Sequence, residues 1–243
     1  MISAAPSRDR IVRAAAALLV EGGRAAVTTR AVGRAAGAQA PTIYRHFGDM
    51  RGLLDAAASY RFAEYLHAEA ADGPAGDPVD DLRRGWDVQV GFGVAEPACH
   101  ALMYGDPDPG RTPTAARVAA DILHQLVQRV AEAGRLRTAV TEATAVLHAA
   151  ACGTTLALIR TPPVDRDLGL STRTREALLA TLVTDSVAAR ALATRTADPA
   201  RHAVALRAAL PGLTPQRFTS AEAGLLTEWL DRLTDPADPP ASP

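Results

Sequence analysis

Residues 28–47 run Thr28-Thr29-Arg30-Ala31-Val32-Gly33-Arg34-Ala35-Ala36-Gly37-Ala38-Gln39-Ala40-Pro41-Thr42-Ile43-Tyr44-Arg45-His46-Phe47, and their reading decides the fold. Thr28 has the hydroxyl that caps a helix start. Val27 before it and Val32 inside can pack as a hydrophobic staple. The pattern predicts a short helix over 28–36, stopped by Gly37. A second helix over 40–47 begins with Pro41, whose missing N–H costs nothing in a first turn. Helix, tight glycine-containing turn, helix is the geometry that lays a second helix into a DNA major groove. Ile43 and Phe47 are four apart and share a core-facing side. Thr42, Tyr44, Arg45 and His46 are then left wholly or partly outward, as contacts to phosphates and base edges require.

Two short helices need neighbours to build a core. Upstream, Ser7 can cap a helix with Ile11, Ala15, Leu18 and Leu19 at helical spacing, ended at Gly22-Gly23. Downstream, a long helix is expected from Arg51 to Ala71, followed by a loop over 72–78 rich in Gly, Pro and Asp. Further helices are expected near 79–94, 97–104, 113–133, 139–160, 172–195, 198–209 and 219–233. Their breaks fall at Glu96-Pro97, at 105–110, at Gly134, at Thr161-Pro162-Pro163, at Asp198-Pro199 and at Pro211-Gly212. The Pro-rich residues 235–243 read as a frayed tail. No internal repeat and no strand stands out, so the fold class is all-α.

Composition narrows the function classes. The 243 residues suffice for one large or two modest domains. The net charge of −1 argues by itself against nucleic acid. Its distribution does not: residues 1–50 hold seven arginines and three acids, a net +4, which leaves −5 for the rest. A basic end on an acidic body is expected where one end meets phosphates. All 26 basic residues are Arg. Cys99 and Cys152 are too few for a disulfide framework, and no apolar run is expected to reach the length needed to cross a bilayer. A cytoplasmic protein with no membrane partner is therefore expected.

The ordered segment from Thr28 to Phe47, with Gly22 upstream and Leu53-Leu54 downstream, resembles the DNA-binding region of the TetR family of transcriptional regulators. The likeness covers about the first sixty residues. It implies an N-terminal three-helix, helix-turn-helix DNA-binding domain at 1–50 and a larger helical effector-binding and dimerisation domain at 51–234, with the tail at 235–243. It also implies a homodimeric repressor of double-stranded operator DNA, released by a small-molecule effector of unknown identity. Position by position, Thr28 and Thr29 match the start of helix 2 that caps and touches phosphate. Arg30 matches a position that reaches a base edge, Pro41 and Thr42 the base-approaching start of helix 3, and Tyr44 and His46 phosphate contacts, with Arg45 beside them. Two positions depart from the pattern. Met50 stands where a backbone-contacting Lys is usual, and Ala40 where a polar cap or base reader is common; Arg45 or Arg51 would have to compensate.

The segment from Trp86 through Phe92, Pro97 and His100 to Tyr104 is similar to one TetR C-terminal subclass. Scarce aromatics gather here, and facing helices with large side chains can wall a cavity. The candidate ligand-binding residues are Phe62, Tyr65, Trp86, Gln89, Phe92, His100, Met103, Tyr104 and His148, each of which core packing alone would also explain. His148 and Cys152 share a helix face, yet such i, i+4 pairs arise by chance in an Ala-rich helix, and no metal or other cofactor is expected. No nucleophile motif, paired-carboxylate site or phosphate-cradling loop is present, so no enzyme and no catalytic residue is expected. Helices 139–160 and 172–195 carry Ala145, Leu147, Ala151, Leu156, Leu178, Leu179, Leu182 and Val183. These suit a two-fold four-helix interface or an intrachain core, and the resemblance favours the interface. The rival functions are a DNA binder without effector control and a helical ligand-binding protein.

Overall fold

A computed structural model describes residues 8–69, 76–105, 110–184 and 199–234. Among them are eleven α-helices: α1 Arg8–Ala26, α2 Thr29–Ala36, α3 Ala40–Phe47, α4 Met50–Glu69, α5 Pro78–Ala95, α6 Pro97–Tyr104, α7 Thr114–Glu132, α8 Val140–Arg160, α9 Gly169–Leu182, α10 Pro199–Arg217 and α11 Ser220–Thr234. No strand occurs among the described residues, and the chain is all-α. The expected cap at Ser7, the end of α4 at Ala71, the extension of the ninth helix through 185–195 and the tail at 235–243 lie outside the described residues.

The chain forms two compact units. The first comprises residues 1–73, 87–120 and 155–166. Its core is continuous from Ile11, Ala15 and Leu19 of α1, through Val32 and Ile43, to Leu53, Ala57 and Phe62 of α4. It extends on to Phe92, Cys99 and Met103. The two short helices are therefore held by the flanking α1 and α4, as their length demands. α1 has a kink where its glycines were expected to stop it: Gly22 (φ −140°) and Gly23 (φ 65°) leave helical geometry before the last turn.

The second unit comprises residues 74–86, 121–154 and 167–243. Val79, Leu82 and Trp86 are buried there, as are Val127, Val130, Leu147, Leu179, Val204 and Leu230. The Arg83 guanidinium ties α5 to α9 through Glu176 at 3.2 Å, and Arg135 holds Asp77 at 2.6 Å. Helix α9 stops at Leu182 because residues 183–184 turn extended. Arg137 N donates to Leu182 O at 2.9 Å and Thr184 N to Arg135 O at 2.8 Å, around an isolated bridge between Leu136 and Val183.

Three expectations are corrected. Pro211-Gly212 does not break the chain, since α10 runs through it to Arg217; packing of α10 along α11 outweighs the helix-breaking tendency of an interior proline. Of the residues offered for a dimer face, Leu147, Ala151, Leu179, Leu182 and Val183 are buried within the chain, so the intrachain alternative holds for them. Helix α8, with 21 residues, is long and apolar enough to cross a membrane by length and composition alone. The sequence expectation of no such run is therefore overturned. The burial of α8 is one-sided: Ala143, Leu147, Ala151, Thr154 and Leu158 recur on its inner face, as on a helix lying against a core.

Candidate nucleic-acid interface

The geometry of the 28–47 segment follows from local chemistry. Thr28 Oγ1 accepts the Ala31 N–H at 3.1 Å, which fixes the start of α2. Gly37 ends α2 at φ 61°, a left-handed conformation that glycine adopts without strain, and Ala38 N returns to Gly33 O at 2.9 Å. A Cβ on Gly33 would sit 2.7 Å from Ala38 O, so the tight turn depends on glycine at that point too. The N-cap of α3 is Gln39, which makes no side-chain cap bond; Ala40, expected at a cap position, is instead the first residue of the helix, with Pro41 next in the first turn. Asp49 Oδ1 accepts the Gly52 N–H at 2.7 Å and opens α4.

On α3, Ile43 is 0% exposed and Phe47 is half-buried against the core. That orientation turns the rest of the helix outward. Tyr44 is 44% exposed, Pro41, Arg45 and His46 are exposed, and Thr42 is half-buried. On α2, Arg30 is exposed and Thr29 half-buried. The structure brings the two groups together: the Tyr44 hydroxyl and Thr29 Oγ1 are hydrogen-bonded at 3.0 Å. The phenol is held by α2 rather than free to rotate about α3, which lowers the ordering cost of a contact.

Sequence reasoning missed how three neighbours serve this surface. Thr29 Oγ1 also donates to Met50 Sδ at 3.3 Å, so the residue in the usual lysine position packs against the start of α2. Arg10 Nε donates to Ala36 O at 2.9 Å, satisfying a carbonyl at the end of α2. Arg8 lies 5.2 Å over the Phe47 ring. Two of the seven arginines counted in the basic end thus brace the fold. Residue counting has no signal for this, because it depends on where α1 lies beside α2 and α3.

The candidate ligand residues divide between the units. In the first, Phe92 stacks edge-on with Phe62 and Tyr65 at ring separations of 5.0 and 5.4 Å. Gln89 Nε2 donates to the Tyr104 hydroxyl at 3.0 Å, and the rings of His100 and Tyr104 are 4.9 Å apart. Met103 is buried beside them. His100 is 1% exposed, and neither ring nitrogen has a hydrogen-bond partner. Burial lowers its pKa to about 4, so the imidazole is neutral at neutral pH. A Cβ on Gly93 would come 2.3 Å from Thr155 Cγ2 and 2.7 Å from His100 Cδ2, so glycine permits the close packing. In the second unit, Trp86 Nε1 donates to Ser171 Oγ at 2.9 Å, and His148 Nε2 lies 3.8 Å from Cys152 Sγ. Burial pushes the thiol of Cys152 up to about 11. Burial first, and then the Glu96 carboxylate, push Cys99 up to about 12. Both therefore stay protonated and weakly nucleophilic. Among the described residues no three His, Cys, Asp or Glu side chains are grouped to hold a metal.

The profile of a family described as bacterial regulatory proteins, tetR family, matches residues 11–57. These residues span α1 through the first turns of α4, the elements that build the surface just described. No curated protein matches the chain. Among solved structures, a putative tetR family transcription regulator from Shewanella sp. PV-4 is similar with a TM-score of 0.55 and 17% identity, over 72% of this chain and 97% of its own. A TetR variant from Acinetobacter baumannii AYE in complex with minocycline is similar with a TM-score of 0.54 and 20% identity, over 72% and 93%. A TetR transcriptional regulator from Streptomyces coelicolor gives a TM-score of 0.50 at 20% identity, over 94% of both chains.

Proposed function

We propose that this chain, whose residues 11–57 belong to the tetR family of bacterial regulatory proteins, is a cytoplasmic transcriptional repressor that binds operator DNA as a homodimer and is released by a small-molecule effector. The observation that carries the reading is the division of α3. Ile43 anchors it inward, while Tyr44, Arg45 and His46 face solvent. Arg30 supplies a planar fork suited to guanine O6 and N7. Tyr44, His46, Thr28 and Thr29 supply hydrogen bonds to phosphates, and Pro41 and Thr42 lead the helix towards the bases. Residues 1–50 act as the reading head and 51–234 as the effector and dimer body.

Two-fold pairing must set the reading heads about 34–36 Å apart to meet successive major grooves. Helix α8 supports such pairing. Opposite its buried side it exposes Ala145, Val146, Ala149, Gly153, Leu156 and Ala157, a strip of small and aliphatic residues that allows close helix approach. A Cβ at Gly153 meets nothing within 4 Å in the isolated chain. Gly153→Arg should therefore leave the monomer folded and abolish dimers in light scattering. For the effector, the aromatic group around Phe92 and the partnerless His100 favour an organic ligand that the imidazole can hydrogen-bond. The minocycline held by the Acinetobacter protein supports the class of ligand, not its identity. A ligand that prefers a differently spaced dimer must weaken DNA binding by the same coupling, typically about 1–3 kcal/mol.

The deciding experiment is selection of bound sequences from random double-stranded DNA with the full chain, followed by gel shift. A two-fold-symmetric consensus supports the reading. Binding with no sequence preference removes it and leaves a non-specific DNA binder; no binding leaves a helical ligand-binding protein.

A further inference from the structure

A cleft of 630 Å³ in the first unit is lined by the end of α1, by α4, by α6 and by the segment leading into α7. Its volume is that of a site for a drug-sized molecule. None of the nine ligand residues picked out from the sequence lines it. Leu54 and Ala58 of α4 and Ala101 and Leu102 of α6 form an apolar floor, while Arg24, Arg51 and Arg111 stand at its edge. Neither Arg24 nor Arg111 makes an ion pair or hydrogen bond with any described residue. The one carboxylate among the described lining residues, Asp55, is already engaged: Oδ1 accepts the Thr114 N–H at 2.8 Å and Oδ2 the Thr114 hydroxyl at 2.7 Å.

Among the described lining residues the cleft therefore couples surplus positive charge to an apolar base. Guanidinium forks recognise carboxylate and phosphate oxygens through paired N–H bonds. An inorganic anion would satisfy the forks and leave Ala98, Ala101 and Leu102 facing water. A neutral apolar molecule would cover the floor and leave the charges unmatched. We propose that this cleft binds a small amphipathic organic anion, its acidic head between Arg24 and Arg111 and its apolar body against Leu54, Ala58, Ala101 and Leu102. The site is separate from the aromatic group around Phe92 and does not depend on the repressor reading. Since its occupant touches α1, α4 and α6 at once, it also bridges helices of the core that carries α3.

The test is calorimetric titration of the full-length protein, without DNA, using decanoate, decyl phosphate, decanamide and inorganic phosphate. One saturable site per chain for decanoate or decyl phosphate is expected, the tighter of the two identifying the head group. Decanamide and inorganic phosphate should bind at least about tenfold more weakly. Arg24→Ala combined with Arg111→Ala, both at exposed positions, should weaken the organic anion about tenfold or more with the helical circular dichroism unchanged. Ala101→Trp, which fills the floor from an exposed position, should abolish binding. The proposal is overturned by the absence of a saturable site, by equal binding of decanamide, by inorganic phosphate matching the organic anions, or by affinity unmoved in both variants. A protein that selects an operator yet binds no organic anion overturns this inference alone.

Discussion

Replacing Tyr44 by Phe deletes one oxygen and separates two roles of that hydroxyl. In the free protein it is hydrogen-bonded to Thr29 Oγ1 at 3.0 Å on a side chain that is 44% exposed. A neutral bond contributes about 0.5–1.5 kcal/mol. Water replaces an exposed one readily, so the stability loss should sit near 0.5 kcal/mol, a Tm drop of about 1–2 °C at this chain length. On DNA the same hydroxyl would donate to a phosphate, and a bond to a charged acceptor is worth about 1.5–3 kcal/mol. Affinity should fall about 10- to 100-fold. Because a phosphate contact carries no sequence information, operator and random duplex should lose the same factor. No charge is removed, so the slope of log K against log salt should stay as in the parent. Gel-shift or anisotropy titrations on both duplexes at several salt concentrations, beside thermal melts, measure all of this. Unchanged binding, or loss confined to the operator, would refute the assignment of Tyr44 to the backbone.

Arg30→Ala should cost about 1–3 kcal/mol of operator affinity and relax preference at one base pair, seen by repeating the sequence selection with the variant. Gly52→Ala would place a Cβ 2.2 Å from Phe47 O, a backbone atom that cannot swing aside. Urea unfolding should show a loss of about 1–3 kcal/mol, and an unchanged midpoint would mean α3 and α4 are less closely fitted than described. His100 falls from its ordinary 6.5 to about 4 because it is buried, so between those values the unfolded chain binds more protons than the folded one. Its contribution makes stability fall as pH drops from 6.5 towards 4. His100→Leu should flatten that limb in urea titrations at pH 7 and pH 5, and an identical pH dependence in both proteins would show that the imidazole is not buried uncharged.

What residues 28–47 settle by themselves is local. A threonine caps the helix that follows it, a glycine takes φ 61° at Gly37, and a proline begins α3. The inward placement of Ile43, four residues from Phe47, follows from helical periodicity alone. These features depend on neighbours within a turn or two, so the chain's order of residues contains them. The exposed array on α3 was legible for the same reason.

Tertiary packing decided the rest. Leu147 and Leu156 look alike in sequence, yet one is buried and the other exposed, because only the neighbours of α8 choose its inner face. The ninth helix stops at Leu182 because residues 183–184 pair with 135–137, far away in the chain. His100 lost every hydrogen-bond partner, and Arg10 gained the Ala36 carbonyl, through approaches between helices that no spacing rule encodes. The basic cleft is the same kind of fact: Arg24, Leu54, Ala101 and Arg111 are remote in sequence and meet only because burial of the core sets α1, α4 and α6 side by side.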